Sequence, residues 1–159
     1  MELKRKQVKA LLDVISNDDS RAISAAFIDK HENDVYLVAT DGYKFAALKL
    51  EAKAEIVAGQ FVNREKITTW FKLANSKSVF TSETVVELAG NDVMGKFPEW
   101  QKHIDMPAIQ QMPVVRMNAK YYLTMCELAG NLSLGLSNHG VSQFMAKEND
   151  NYYIVMGLK

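Results

Sequence analysis

Cys126 is the only cysteine among 159 residues, so no disulfide can close within the chain, and the expectation is a protein of a reducing cytoplasm. The three histidines, His31, His103 and His139, are scattered with no cysteine cluster near them, which leaves no metal site at recognisable spacing. No apolar run approaches the ~18 residues needed to cross a membrane. The charged start (Glu2, Lys4, Arg5, Lys6, Lys9) is not followed by the apolar stretch of a secretory signal. Neither sign of charge is in excess, with 19 Lys plus Arg against 19 Asp plus Glu. DNA binding would therefore have to come from the arrangement of charge. Phosphate loops, dinucleotide fingerprints and nucleophile elbows are missing too. The expectation is no cofactor, no metal, no catalytic residue and no membrane association: not an enzyme.

What is present is a repeat. The apolar fraction, 48%, is that of a folded globular protein. Three segments place apolar residues at i, i+3, i+4 and i+7, the stripe of an amphipathic helix. They are Val8, Leu11, Leu12, Ile15; then Ile67, Trp70, Phe71, Ala74; then Tyr122, Met125, Cys126, Ala129. The second and third follow short strand-like pieces ending in Asn63 and Asn118, whose side chains suit a helix N-cap. Strand-like stretches follow each helix: residues 22–29, 35–40 and 44–50; then 78–82, 85–89 and 93–96; then 132–137, 141–147 and 152–158. Asp41-Gly42 reads as a tight hairpin turn, because glycine tolerates positive φ. Asn33-Asp34, Asn138-His139-Gly140 and Asn149-Asp150-Asn151 read as further turns. The expected fold is α+β, three repeats of a helix plus an antiparallel β-meander, at an interval of about 55–60 residues. Residues 106–112, bounded by Pro107 and Pro113, have no period and read as a linker.

Four strings carry a resemblance. Val38-Ala39-Thr40-Asp41-Gly42-Tyr43-Lys44-Phe45-Ala46 is similar to an Ala-Thr-Asp-Gly-His-Arg-Leu-Ala stretch of the bacterial β sliding clamp, the processivity subunit of the replicative DNA polymerase III. Gly95-Lys96-Phe97-Pro98-Glu99-Trp100 is similar to that family's Gly-Arg-Phe-Pro-Asp-Tyr. Asn118-Ala119-Lys120-Tyr121-Tyr122-Leu123 resembles the start of its last helix, and Tyr153-Ile154-Val155-Met156-Gly157-Leu158-Lys159 resembles its C-terminus. The resemblance implies a DNA-clamp-like fold with a complete middle-type domain at residues 1–105, the linker at 106–112, and the second half of a last domain at 113–159. The first domain and the first half of the last one would have no counterpart here.

The same resemblance implies a pocket for partner peptides, lined by Ile23, Thr40, Gly42, Tyr43, Phe45, Pro98, Lys102, His103, Ile154, Met156 and Leu158. Small Thr40 and Gly42 would leave a depression, and the apolar residues would make it receptive to a hydrophobic side chain. Taken singly, Phe45, Ile154 and Met156 also fit ordinary strand packing. The resemblance further implies helices that face DNA, with Lys4, Arg5, Lys9, Arg64, Lys66, Lys72, Lys77 and Lys120 as phosphate contacts; solvated helix surface is the competing reading.

The implied function is that of a sliding-clamp-like processivity protein of DNA replication. It would bind clamp-binding-motif peptides of polymerase or repair proteins, and double-stranded DNA without sequence preference as a homo-oligomeric ring. Four copies would match the family's twelve units, although the family's ring contact uses the first domain. Two alternatives stand beside this: an adaptor or regulator that binds clamp-interacting proteins without encircling DNA, and a small hydrolase, for which no constellation of catalytic groups is recognisable.

Overall fold

The computed structural model describes residues 1–51, 56–91, 93, 95–104, 117–130, 135–137, 140–148 and 150–156. Its centre is a meander of three strands, β2 (Ala25–His31), β3 (Asp34–Thr40) and β4 (Lys44–Lys49), all antiparallel. Period-two alternation sends successive side chains to opposite faces. Leu37 and Ala39 of β3 join one core with Ala46 and Leu48 of β4, while Tyr36, Val38, Phe45 and Ala47 join another. Both faces of the meander are thus covered, which is why β3 and β4 read as nearly continuous apolar runs.

Helices α1 (Arg5–Val14), α2 (Arg64–Leu73) and α4 (Ala119–Ala129) all cover the first face. Val8, Leu11 and Leu12 of α1, Ile67 of α2, and Met125 and Leu128 of α4 are buried in its core. Each such side chain contributes about 1.5–3 kcal/mol by leaving water. The expected caps are in place: Asn63 accepts from the backbone N–H of Glu65 at 2.8 Å, and Asn118 from that of Lys120 at 3.0 Å. Gln7 ties the helices together, donating to the Leu128 carbonyl at 2.8 Å. That carbonyl lies in the last turn of α4, where backbone acceptors run out of helical partners.

The sheet extends on both sides. β5 (Phe61–Asn63) pairs with β2, and the two-residue β7 (Ala89–Gly90) pairs with β5. On the other edge β10 (Asn151–Met156) pairs with β4, followed by β9 (Gly140–Glu148) and β8 (Gly135–Ser137). The order is β7-β5-β2-β3-β4-β10-β9-β8. A separate two-stranded ribbon pairs β1 (Glu2–Lys4) with β6 (Val79–Thr81).

The second repeat departs from the expectation of a meander. Residues 85–89 read as a strand because of the β-branched Val85-Val86, but Ser82–Leu88 forms a helix, α3. Thr81 caps it, accepting from the Thr84 backbone N–H at 3.3 Å. Ser82, buried at its start, accepts from the Glu51 backbone N–H at 2.9 Å. These capping bonds favour the helix over the modest strand preference of two valines. Val93 and Gly95 are in no strand either. In the third helix of the repeat, Met125 of the expected stripe is buried and Cys126 and Ala129 pack against the core, while Tyr122 is not part of it; Thr124 and Leu128 are buried as well, and Tyr121 packs beside them. The linker 106–112 lies outside the described residues.

A candidate partner-binding pocket

The second face of the sheet is covered more thinly, by the turn Ala22–Ser24 and by residues 95–104. Between these and the end of β10 lies a cavity of about 210 Å³. That is below the ~300–1,000 Å³ of clefts that enclose whole small ligands, and it suits one or two apolar side chains.

One wall is the β3–β4 turn. Asp41 Oδ1 accepts from the backbone N–H groups of Tyr43 and Lys44, both at 2.8 Å, and Thr40 Oγ1 donates to the Lys44 carbonyl at 2.7 Å. Gly42 sits at φ 90, a left-handed conformation that other residues adopt at a cost. A Cβ there would meet nothing within 4 Å. The positive φ favours glycine in the turn, and a side chain there would occupy open space beside the cavity that Gly42 lines. Across the sheet, Ile154 is the register partner of Phe45. The third wall holds Phe97, Pro98, Trp100 and His103, with the Trp100 ring stacked on Phe45 at 5.7 Å between centroids.

The structure brings Ile23, Thr40, Gly42, Tyr43, Phe45, Pro98, His103, Ile154 and Met156 together around this cavity. Lys102 does not line it and is ion-paired with Glu99. That pairing, with Lys96 adding to it, holds the Glu99 carboxyl below the usual range. Leu158 lies outside the described residues. Four lining residues escaped the sequence reading: Arg21, Lys44, Phe97 and Trp100. The last three stand inside the quoted strings and could have been found there; Arg21 has no sequence signal. Lys44 is the one that changes the chemistry. It is 6% exposed, pairs with Asp41 Oδ2 at 2.7 Å, and its ammonium lies 4.6 Å from the centre of the Tyr121 ring. Tyr43, 59% exposed, stacks on the same ring at 5.9 Å. An apolar floor thus carries a fixed cation at its edge.

The eight basic residues fall on several elements. Lys9, Lys72 and Lys120 are exposed on α1, α2 and α4, which share one side of the sheet. Lys66 is half-buried on α2 and Lys77 is exposed beyond its end. Lys4 ends β1, and Arg5 lies over the Phe71 ring at 4.1 Å. Arg64 is turned into the helix packing, where Nη2 donates to the Leu12 carbonyl at 3.4 Å and Nε is buried without a partner. Asp13, Glu65 and Glu127 are exposed on the same helices, and Glu127 neutralises Lys6 at 3.3 Å. Among the described residues no cluster of His, Cys, Asp or Glu could hold a metal, and no helix is long and apolar enough to cross a membrane.

No protein-family model and no curated protein matches the chain. Solved structures do. The DNA polymerase III subunit beta of Borrelia burgdorferi, in complex with a natural product, superposes with a TM-score of 0.69 at 10% identity, over 100% of this chain and 64% of that one. The sliding clamp of Bartonella birtlesii bound to griselimycin gives 0.65 at 16% identity, over 99% and 65%. The beta clamp of Helicobacter pylori bound to a DNA ligase peptide gives 0.62 at 12% identity, over 99% and 65%. The chain spans about 65% of the length of these clamps. At such identities the likeness is one of fold: over about 65% of a clamp's length, this chain has the fold of the bacterial DNA polymerase III β sliding clamp.

Proposed function

We propose that the chain is a clamp-like binding protein of DNA replication or repair, whose pocket takes hydrophobic side chains from an extended peptide of a partner protein. One observation carries this reading. Three segments far apart in sequence, residues 40–45, 97–103 and 154–156, converge on one apolar-floored cavity. The Helicobacter pylori clamp of the same fold is bound to a DNA ligase peptide, which supports peptides as the ligand class. Met156, unbranched and adaptable, suits a wall that accepts more than one partner. Affinity near micromolar, about −8 kcal/mol, is expected from a cleft this small against the cost of ordering the peptide. Calorimetry with that ligase peptide tests the proposal, and absence of heat at millimolar peptide would refute it.

We read the chain as residues 1–105 and 113–159 joined by a linker, working without catalysis. Of the two modes open to a clamp-like protein, recruitment of partners without encircling DNA is favoured by the helical layer. Its basic residues are interrupted by Asp13, Glu65 and Glu127, and Arg5 and Arg64 are engaged in packing. Closure as a homo-oligomeric ring on double-stranded DNA is the competing mode. Light scattering after size exclusion separates them: a tetramer supports the ring, a monomer the recruiting module.

A further inference from the structure

The pocket wall formed by residues 95–104 contains no strand and only one short turn of helix, Gln101–His103. Its bonds His103 N–H to Trp100 carbonyl and Ile104 N–H to Gln101 carbonyl stay within the segment. Something must therefore hold it against the sheet. Part of the answer is apolar: Phe97, Trp100 and Ile104 are buried in the second core. Burial alone does not fix the rotation of an indole ring, and a buried Trp N–H needs an acceptor.

Asp29 supplies one. It sits on β2, opposite Tyr36 of β3. Its Oδ2 accepts from Trp100 Nε1 at 2.8 Å and from Gln101 Nε2 at 2.7 Å, and its Oδ1 accepts from the Lys30 backbone N–H at 2.8 Å. Bonds to an ionised acceptor are about twice as strong as neutral ones. The indole so held touches two sides at once: it stacks on Phe45, which lines the cavity, and meets Tyr36 edge-on at 5.6 Å. Asp29 itself does not line the cavity.

We infer that Asp29 is a positioning residue for the pocket: through Trp100 and Gln101 it sets the wall at residues 97–103, and thereby the affinity for peptide. The inference rests on the peptide reading of the cavity. It makes one strand carboxylate the link between the rigid sheet and the irregular wall. A 1 Å displacement of a supporting group is enough to loosen a site held this way.

The test is a double-mutant cycle with the ligase peptide as probe, read by calorimetry on protein shown to be folded by circular dichroism. Asp29→Ala should weaken binding about tenfold, the scale on which a charge-assisted bond acts. Asp29→Asn keeps an acceptor oxygen in place and should recover most of that loss. In a background carrying both Trp100→Phe and Gln101→Ala, which lacks both side-chain donors, Asp29→Ala should change affinity by less than about threefold, since the coupling partners are gone. A purely structural role would lower the melting temperature equally in both backgrounds and leave affinity unmoved. The indole N–H resonance of Trp100, one of two tryptophans, should shift in Asp29→Ala. Wild-type affinity in Asp29→Ala, or an equal loss in both backgrounds, would overturn the anchor alone. A wild type that binds no peptide would overturn the peptide reading, and the anchor's role with it.

Discussion

The backbone N–H of Met156 donates to the carbonyl of Tyr43 at 2.8 Å, so the end of the last strand is fastened directly to the turn that forms one wall of the cavity. The bond uses no side-chain atom. Met156→Ala should therefore leave the wall in place and remove only apolar surface, weakening the ligase peptide by roughly 1–2 kcal/mol. Calorimetry at matched protein concentration measures this. Unchanged affinity would put the peptide elsewhere on the molecule.

Leu12 is buried in the opposite core, beneath the helices. Leu12→Ala should cost about 2–4 kcal/mol in urea unfolding, from lost transfer energy and the cavity left behind. The dissociation constant of the molecules that remain folded should not move. A specific loss of affinity would mean that the two faces of the sheet are coupled.

Asp41 does two jobs, closing the turn and neutralising the buried Lys44. Asp41→Ala strands an ammonium that is 6% exposed, and should cost about 3–5 kcal/mol. Adding Lys44→Met should return part of that loss, because the uncompensated charge goes with it. Additive losses in denaturant titration would show that the turn bonds alone explain the effect.

Alkaline stability follows from Tyr153, whose hydroxyl is pushed up to about 12, chiefly by burial. A free tyrosine titrates near 10. Below pH 10 both states hold the proton and the contribution is complete. As pH rises from 10 towards 12 the unfolded chain ionises first, and stability falls, by about 2–3 kcal/mol for this one group. Tyr153→Phe should flatten the decline over that interval. Tyr36, also raised to about 12 mainly by burial, should keep part of the slope in that variant.

If the helical layer meets DNA, Lys9, Lys72 and Lys120 are the exposed cations to remove. Each lysine that contacts a phosphate should take about 0.9 from the slope of log affinity against log salt. Arg64→Ala should instead act on stability, since its guanidinium bonds the Leu12 carbonyl. A salt slope that survives the triple alanine variant would class these lysines as solvated surface.

Local chemistry made much of this molecule legible in advance. The apolar run at residues 35–40 read as a strand, which is β3 here, and Asn63 and Asn118 marked two helix starts by their capping geometry. Such signals survive in one dimension because they act over two to four residues. Seven of the expected residues that line the cavity stand in the strings that carry the resemblance, because each string keeps its part of the wall in register with its own strand or turn; Ile23 and His103 lie outside them.

What the sequence determined by itself, then, was the short-range structure: the helix stripes, the meander strands and the Asp41-Gly42 turn. Tertiary contacts decided the rest. Val85 and Val86 went into a helix because Ser82 met the distant Glu51 backbone. The last turn of α4 is tied to α1, where Gln7 donates to the Leu128 carbonyl. Lys44 and Arg64 carry identical charge, yet one became a buried pocket cation and the other a packing residue. Trp100 faces the cavity because Asp29, on another strand, holds its indole. Apart from Asp41, three residues from Lys44, the deciding partners lie tens of residues away, where no periodicity reaches, and only the folded chain brings them together.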